Sequence, residues 1–397
     1  MTNVAETADG AAPAVDQKLV LFAAVACGAI VANLYYAQPL VDLIARDLAL
    51  APSAASGVVS LTQIGYGVGL ILLAPLVDLT ETRRLLTLTL GAAALALAAT
   101  ALAPSGAAFF AASFAIGVAS TAAQMLLPIV ANAAPAETRG QTVGTVMSGL
   151  LLGILLARPV ASVLADVAGW RAVFGISAGL MVVIAVTLRA YVPSRAPQGG
   201  MSYGAFLGSM LTLLKRHRVL RRRAAYQAAM FAVFSLFWTA VPMRLSETYG
   251  WSHSWIGLFA LAGAAGALVA PWAGRLADAG LTRPGTLAAL VIAAIGFAVA
   301  GLDGWGGVAA LLFGAVVVDV GVQINMLLGQ RAIYGLDETA RGRLNGLYVA
   351  MLFLGGAAGS ALVSPLMTTW GWPAVAIAGA LIPLAALAFA AFDDGRD

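Results

Sequence analysis

Two charged residues, Arg158 and Asp319, lie inside otherwise apolar runs of this 397-residue chain. A charge near the centre of a bilayer costs roughly 2.5–3.5 kcal/mol even on the lenient insertion scale, so such a residue normally faces protein or water and usually works. Asp319 stands about twelve residues into its run, roughly 18 Å at 1.5 Å per residue, near the midplane of a hydrocarbon layer about 30 Å thick. An acid there is a candidate proton carrier; the other reading is a structural ion-pair or hydrogen-bond partner. Gln323, Met326 and Gln330 follow at i+4, i+7 and i+11 and extend a stripe that could line a cavity. Arg158 could attract an anionic substrate, pair with a carboxylate, or snorkel outward. Pro159 beside it frees a carbonyl and can kink the helix. Asn33, Tyr36, Gln38, Gln124 and Trp238 are further candidate substrate contacts, with Tyr36 and Trp238 able to stack on a flat or cationic ligand. Tyr35 and Tyr36 read equally well as interfacial belt residues, and Gln63 and Tyr66 read as packing.

Other chemistries find no support. A single cysteine, Cys27, excludes a disulfide framework within the chain, and His217 and His253 fall in different loops, which leaves no zinc constellation. Gly65-x-Gly67-x-Gly69 follows no strand and precedes no fitting acid, so it reads as close helix packing. Gly149/Gly153 and Gly355/Gly359 are small-xxx-small seams of the same kind. No Walker lysine loop, intramembrane histidine or paired carboxylate is present, so the expectation is a protein that is not an enzyme, needs no cofactor and runs on an ion or substrate gradient.

The elements that hold these residues are membrane spans. The chain is 61% hydrophobic and 10% charged, against about 25% charged in a soluble domain, and its mean hydropathy is +0.92. Windows of about 20 apolar residues fall at 19–41, 54–77, 85–103, 107–131, 141–165 and 172–192, then at 224–245, 254–276, 284–302, 307–329, 344–368 and 373–392. A β-barrel is excluded, because its strands would be half this length and alternate in polarity. With the N-terminus inside, 18 Lys and Arg lie in inner segments and 3 in outer loops, so the positive-inside rule puts both termini in the cytoplasm. That pattern, with a net charge of +4, fits orientation in a membrane better than nucleic-acid binding. Residues 1–17 lack a basic n-region and a cleavage site and read as a disordered cytoplasmic tail. Between the two sets of six, residues 193–223 form a linker in which Phe206, Met210, Leu213 and Leu214 recur at helical spacing before Lys215, Arg216, Arg218 and Arg221–Arg223. A basic amphipathic helix lying on the inner leaflet fits this pattern, with lipid headgroups as partners.

The halves match each other in register. Gly57 and Gly257, and Asp78 and Asp278, lie 200 residues apart; Arg139-Gly140 and Arg341-Gly342, Gly144 and Gly346, Gly153 and Gly355, and Gly169-Trp170 and Gly371-Trp372 lie 202 apart. Pro39 and Pro242 are 203 apart. Such a repeat predicts an all-α membrane protein of twelve transmembrane helices in two pseudo-symmetric six-helix bundles, 18–192 and 224–397, with the binding site between them near the midplane.

These residues resemble the major facilitator superfamily across the chain after residue 18. The family's loop after the second helix reads roughly G-x-x-x-D-R-x-G-R-R. Here Asp78 is followed by Leu79, Thr80, Glu81, Thr82, Arg83 and Arg84, and the second half offers Gly274 through Asp278. The resemblance implies gating roles for Asp78, Arg83, Arg84, Arg139, Asp278 and Arg341, and a cavity lined by the first, fourth, seventh and tenth helices. Asn33 through Leu40, and Gly149-x-x-x-Gly153-x-x-x-Ala157-Arg158-Pro159, resemble bacterial exporters close to the drug–proton antiporters. Arg158-Pro159 stands where the antiporter pattern has Gly-Pro, and Ser113 stands where the family has a fourth-helix Arg. The expectation is a monomeric, multi-pass transporter of the bacterial inner membrane that exports small amphipathic or aromatic compounds in exchange for protons. The alternative is a proton symporter importing a small metabolite such as an organic anion.

Overall fold

The computed structural model describes residues 17–73, 75–135, 138–192, 194, 202–302 and 307–392, without the side chains of 78, 132, 133, 265 and 267. The expected tail and the start of the linker lie outside these residues, as does the side chain of Asp78. The helices are α1 Gln17–Ala32, α2 Val41–Asp47, α3 Gly57–Leu72, α4 Leu76–Leu79, α5 Thr82–Ala101, α6 Gly106–Ser120, α7 Ala122–Ala133, α8 Arg139–Ala168 and α9 Trp170–Tyr191. They continue with α10 Tyr203–Arg216, α11 Arg218–Tyr249, α12 His253–Phe259, α13 Ala264–Leu268, α14 Ala270–Asp278, α15 Thr282–Ala300, α16 Val308–Tyr334, α17 Arg341–Trp370 and α18 Trp372–Phe392. No strand occurs among the described residues, and ten helices there are long and apolar enough to cross a membrane.

The two expected spans absent from those ten do not form as single long helices among the described residues. Residues 19–41 were expected as one helix, but α1 stops at Ala32 and the chain turns through Tyr35–Ala37 into a short 3-10 helix at Gln38–Leu40. Pro39 brings no N–H to an α-helical ladder and its ring clashes with the preceding turn, so a continuous helix is disfavoured there. Residues 254–276 divide into α12, a 3-10 turn at Ala260–Gly263, α13 and α14. The turn lets Gly263 and Gly266 approach Asp319 on α16: a Cβ on Gly263 would stand 2.8 Å from Asp319 Oδ2, and one on Gly266 3.1 Å from the Asp319 carbonyl oxygen.

Each half keeps a seam where backbones touch. Gly149 and Gly153 of α8 press on the backbone of Ala24 and Gly28 of α1, and Gly355 and Gly359 of α17 press on Ala228 and Ala232 of α11. Both pairs run parallel, so α1 and α11 begin at the same end of the molecule as α8 and α17. Gly169 and Gly371 end α8 and α17 at φ +81° and +73°, left-handed values that favour glycine. Each is followed by a buried tryptophan, Trp170 or Trp372. Gly153 and Gly355, and Gly169 and Gly371, matched in sequence, thus take like roles in the structure.

The linker helix behaves differently from expectation. α10 does form, but its apolar face meets protein: Met210 and Leu213 pack with Leu344, Tyr348 and Ile333. Arg343 donates from Nη1 to Ser209 Oγ at 2.9 Å and lies over Phe206. Arg218–Arg223, expected in the linker, are the first turns of α11.

Candidate functional site

A cavity of about 1090 Å³ opens between the halves at the end where α1, α8, α11 and α17 begin, here called the terminal end. Leu70 and Gln124 from the first half and Tyr334, Asn345 and Val349 from the second line it, and Phe206 and Met210 of α10 lie across its side. One helical turn deeper an aromatic layer closes it. Tyr66 packs on Phe353 with centroids 4.4 Å apart, Phe353 on Phe231 at 5.0 Å, and Phe231 stacks on Phe234 at 5.0 Å. The Tyr66 hydroxyl faces Gln124, so the cavity wall adjoins this layer.

Beyond the layer lie the two intramembrane charges, brought together by four separate elements. Arg158 of α8 is 3% exposed. Its Nε donates to Gln38 Oε1 at 2.7 Å, and its guanidinium carbon sits 4.5 Å from the Trp238 ring centroid, 5.2 Å from Tyr35 and 5.3 Å from Phe234. Asp319 of α16 is 7% exposed and accepts from Trp238 Nε1 at 2.9 Å. No contact ion pair joins Arg158 to Asp319; the indole stands between them, its face to the cation and its N–H to the anion. Arg158 does not snorkel, because aromatic faces supply in place the stabilisation that water would otherwise give. Arg158 Nη2 and Gln38 Nε2 are buried with no hydrogen-bond partner among the described residues.

Of the substrate-contact residues expected from sequence, Gln38, Arg158, Trp238 and Asp319 form this cluster and Gln124 lines the cavity. Asn33 and Tyr36 turn away, into the first half. Asn33 Oδ1 accepts from Ser177 Oγ at 2.6 Å, its Nδ2 approaches Met181 Sδ at 3.6 Å, and the Tyr36 hydroxyl faces Ser177. The break after Ala32 redirects these side chains, so helical spacing from α1 does not hold. Gln323 is half-buried, and the amide α16 engages is Asn325, whose Nδ2 donates to Gln227 Oε1 at 2.7 Å. Tyr35, Phe234, Gly263 and Gly266 were not singled out as site residues; nothing in local sequence places them around two charges more than 150 residues apart.

The expected gating residues at the terminal end hold contacts within their own halves. Asp278 pairs with Arg331 at 3.1 Å, tying α14 to α16. Arg341 pairs with Glu338 at 2.9 Å, Arg83 donates to the Val192 carbonyl, Arg139 to that of Ala131, and the backbone N–H of Arg84 to Glu81. The bonds that cross between halves lie elsewhere. Along α3 and α17, Ser60 Oγ meets Ser360 Oγ at 2.9 Å and Ser56 N–H donates to Ser364 Oγ at 2.8 Å, and from α3 to α11 Gln63 Nε2 donates to Ser235 Oγ at 2.8 Å. At the far end, Asp166 Oδ2 accepts from Ser254 N–H at 2.7 Å and Ser254 Oγ at 2.5 Å. Asp42 accepts from Ser246 Oγ at 3.0 Å, and His253 lies between Asp42 and the Pro39 carbonyl. The molecule is thus open at the terminal end and latched at the far end.

Residues 20–333 and 224–396 match the Major Facilitator Superfamily. The chain is 40% identical over 370 residues to the uncharacterized transporter YgaY of Escherichia coli O157:H7, covering 92% of this chain and 93% of that protein. It is 34% identical over 362 residues to the probable transporter SCO4007 of Streptomyces coelicolor, 89% of this chain and 82% of that protein. Among solved structures, a bacterial homolog of the human lysosomal transporter Spinster, in an inward-facing and occupied conformation, superposes with a TM-score of 0.72 over 94% of each chain at 14% identity, a likeness of fold.

Proposed function

This chain belongs to the Major Facilitator Superfamily and is a multi-pass membrane transporter, and we propose that it moves its cargo with protons by alternating access. In this reading twelve crossings form two six-helix bundles, 18–192 and 224–397, in a bacterial inner membrane with both termini cytoplasmic. The terminal-end cavity then faces the cytoplasm, and the cargo is a small amphipathic or aromatic compound admitted past the Tyr66–Phe353 layer. Efflux is the direction implied by the resemblance to drug–proton antiporters. The second reading, proton symport of an organic anion, is favoured by one observation: a buried guanidinium that touches no carboxylate.

The observation that carries proton coupling is Asp319. Its carboxyl is buried at the junction of the halves with an indole N–H as its hydrogen-bond donor and no contact cation among the described residues. A carboxyl so placed can be held in either protonation state, and each rocking motion changes which side reaches it. Asp319→Asn should therefore abolish flux driven by a pH gradient in proteoliposomes while ligand-induced thermal stabilisation of the purified protein survives. Unchanged gradient-driven flux in that variant retires the assignment. Comparing uptake with extrusion under one imposed gradient separates symport from antiport.

A further inference from the structure

We propose that Arg158 and Gln38 seat the anionic group, a carboxylate in the simplest case, of an aromatic cargo, and that this anion binds together with a proton on Asp319. The proposal deepens the second reading above, proton symport of an organic anion, and rests on it.

A guanidinium presents Nε and Nη2 along one planar edge, a fork whose spacing matches the two oxygens of a carboxylate. In Arg158 half of that edge is taken by Gln38 Oε1 and the other half, Nη2, has no partner. The amide that occupies Nε carries an unpartnered donor of its own, Gln38 Nε2. Two orphaned donors therefore belong to one bonded pair of side chains, both buried. Leaving a buried donor unsatisfied costs about 1–3 kcal/mol, and more where the group is charged. A purely structural arginine would be expected to relieve that cost with a carboxylate, yet the nearest acid, Asp319, is turned to Trp238 Nε1 instead.

The surroundings favour a flat anion. Trp238, Tyr35 and Phe234 hold the guanidinium by their ring faces, which fixes the fork and supplies apolar walls beside it. The proton link follows from charge balance. The groups that face Asp319 are Trp238 from α11, Arg158 from α8 and Tyr35 from the turn after α1, together with the backbone of Gly263 and Gly266. Arg158 is the one cation in this set. With Asp319 ionised, an arriving anion leaves two negative charges against one positive in a buried site. With Asp319 protonated, the anion and Arg158 cancel. Proton and anion therefore enter and leave together.

The test uses benzoate and its uncharged isostere benzamide as probes on the purified full-length protein in detergent, read by thermal stabilisation. Benzoate should stabilise saturably at millimolar concentration and benzamide should not. Arg158→Gln should weaken benzoate by roughly 10- to 100-fold, the loss of a charge-assisted hydrogen-bonded pair, and Arg158→Lys should restore part of it. Benzoate should bind more tightly to the native protein as the pH falls from neutral toward 5.5. In Asp319→Asn, whose side chain mimics the neutral acid, benzoate affinity should stay high and ignore pH. Equal stabilisation by acid and amide, stabilisation by neither, or native affinity that rises with pH overturns the proposal without relying on any variant. Gradient-driven flux of uncharged compounds by a protein blind to benzoate sinks this inference and leaves the transporter reading intact. Benzoate-specific binding with no gradient-driven flux does the reverse.

Discussion

Asp166→Ala should tilt the protein toward the state that opens at its far end. Asp166 lies near the end of α8, and its Oδ2 accepts two hydrogen bonds from Ser254 in the first turn of α12, across the cleft between the halves. An acceptor and a negative charge both suit a helix N-terminus. Removing a capping side chain costs roughly 0.5–2 kcal/mol, and a buried bond to a charged group would cost about 1.5–3 kcal/mol. Asp166 is exposed and Ser254 half-buried, so solvent screening keeps the loss toward the lower range, about 1–2 kcal/mol. These bonds exist only while the far end is shut, so the whole loss appears as a bias between states, a change in the open-to-shut ratio of roughly 5- to 30-fold. Spin labels on Ser53→Cys and Thr248→Cys, exposed far-end positions in opposite halves, would report it by pulsed dipolar spectroscopy. The native Cys27 is buried. The longer-distance population should grow in Asp166→Ala and grow less in Asp166→Asn, which keeps an acceptor without the charge. A distance distribution that does not move, or moves shorter, refutes the latch.

Two further outcomes follow from local geometry. Gly359→Leu places a side chain on the Ala232 backbone and should lower the melting temperature by an overpacking cost of about 3 kcal/mol; Gly346→Ala, whose Cβ meets nothing within 4 Å, should melt like the parent, and equal melting of both variants would remove the seam argument. Glu81 is held below its ordinary value of 4.5 by the Ser194 hydroxyl first, then by the backbone N–H groups of Arg84 and Arg83 and the Arg83 charge. Because the folded-state value is depressed, its contribution is present above pH 4.5 and fades as the pH falls through the lower folded-state value. The stability gap between parent and Glu81→Gln should therefore close under acid melting, and a gap that widens instead would contradict it.

Arg158 and Asp319 were legible because an ionisable residue in an apolar run is conspicuous whatever it touches. Trp238 was legible as a stacking residue but not as the bridge between two charges, since that role depends on three helices meeting. Asn33 and Tyr36 were read as cavity residues because they lie in the 19–41 run; the chain leaves the helix after Ala32, and Asn33 turns to Ser177 and Met181 of α9. The break in the 254–276 run was written in Gly263 and Gly266, but glycine in a membrane helix usually signals packing, and only the approach of Asp319 shows what these two make room for. α10 shows the same limit from the other side. Its amphipathic stripe was plain, while the surface that stripe covers, Leu344 and Tyr348 in place of lipid, is set by tertiary contact.

The contacts that cross between the halves divide by chemistry, and the division fits a rocking motion. Along α3 and α17 they are neutral and small: Ser60 on Ser360, Ser56 on Ser364, and Gly67 against the Ala350 carbonyl. Serine hydroxyls can donate or accept and rotate to new partners at little cost, so helices joined in this way can tilt on one another without leaving a charge unsatisfied. The far-end contacts are of another kind, carboxylates of exposed Asp166 and buried Asp42 held by hydroxyl, amide and imidazole groups. When such a contact opens, water replaces the lost partners, so it can break cleanly and bias a two-state equilibrium without strain. The charged cluster of Arg158 and Asp319 lies between pivot and latch, on helices from both halves. Its charge balance is therefore placed where it can favour one tilt over the other, which is the differential interaction any ligand needs in order to drive a conformational change.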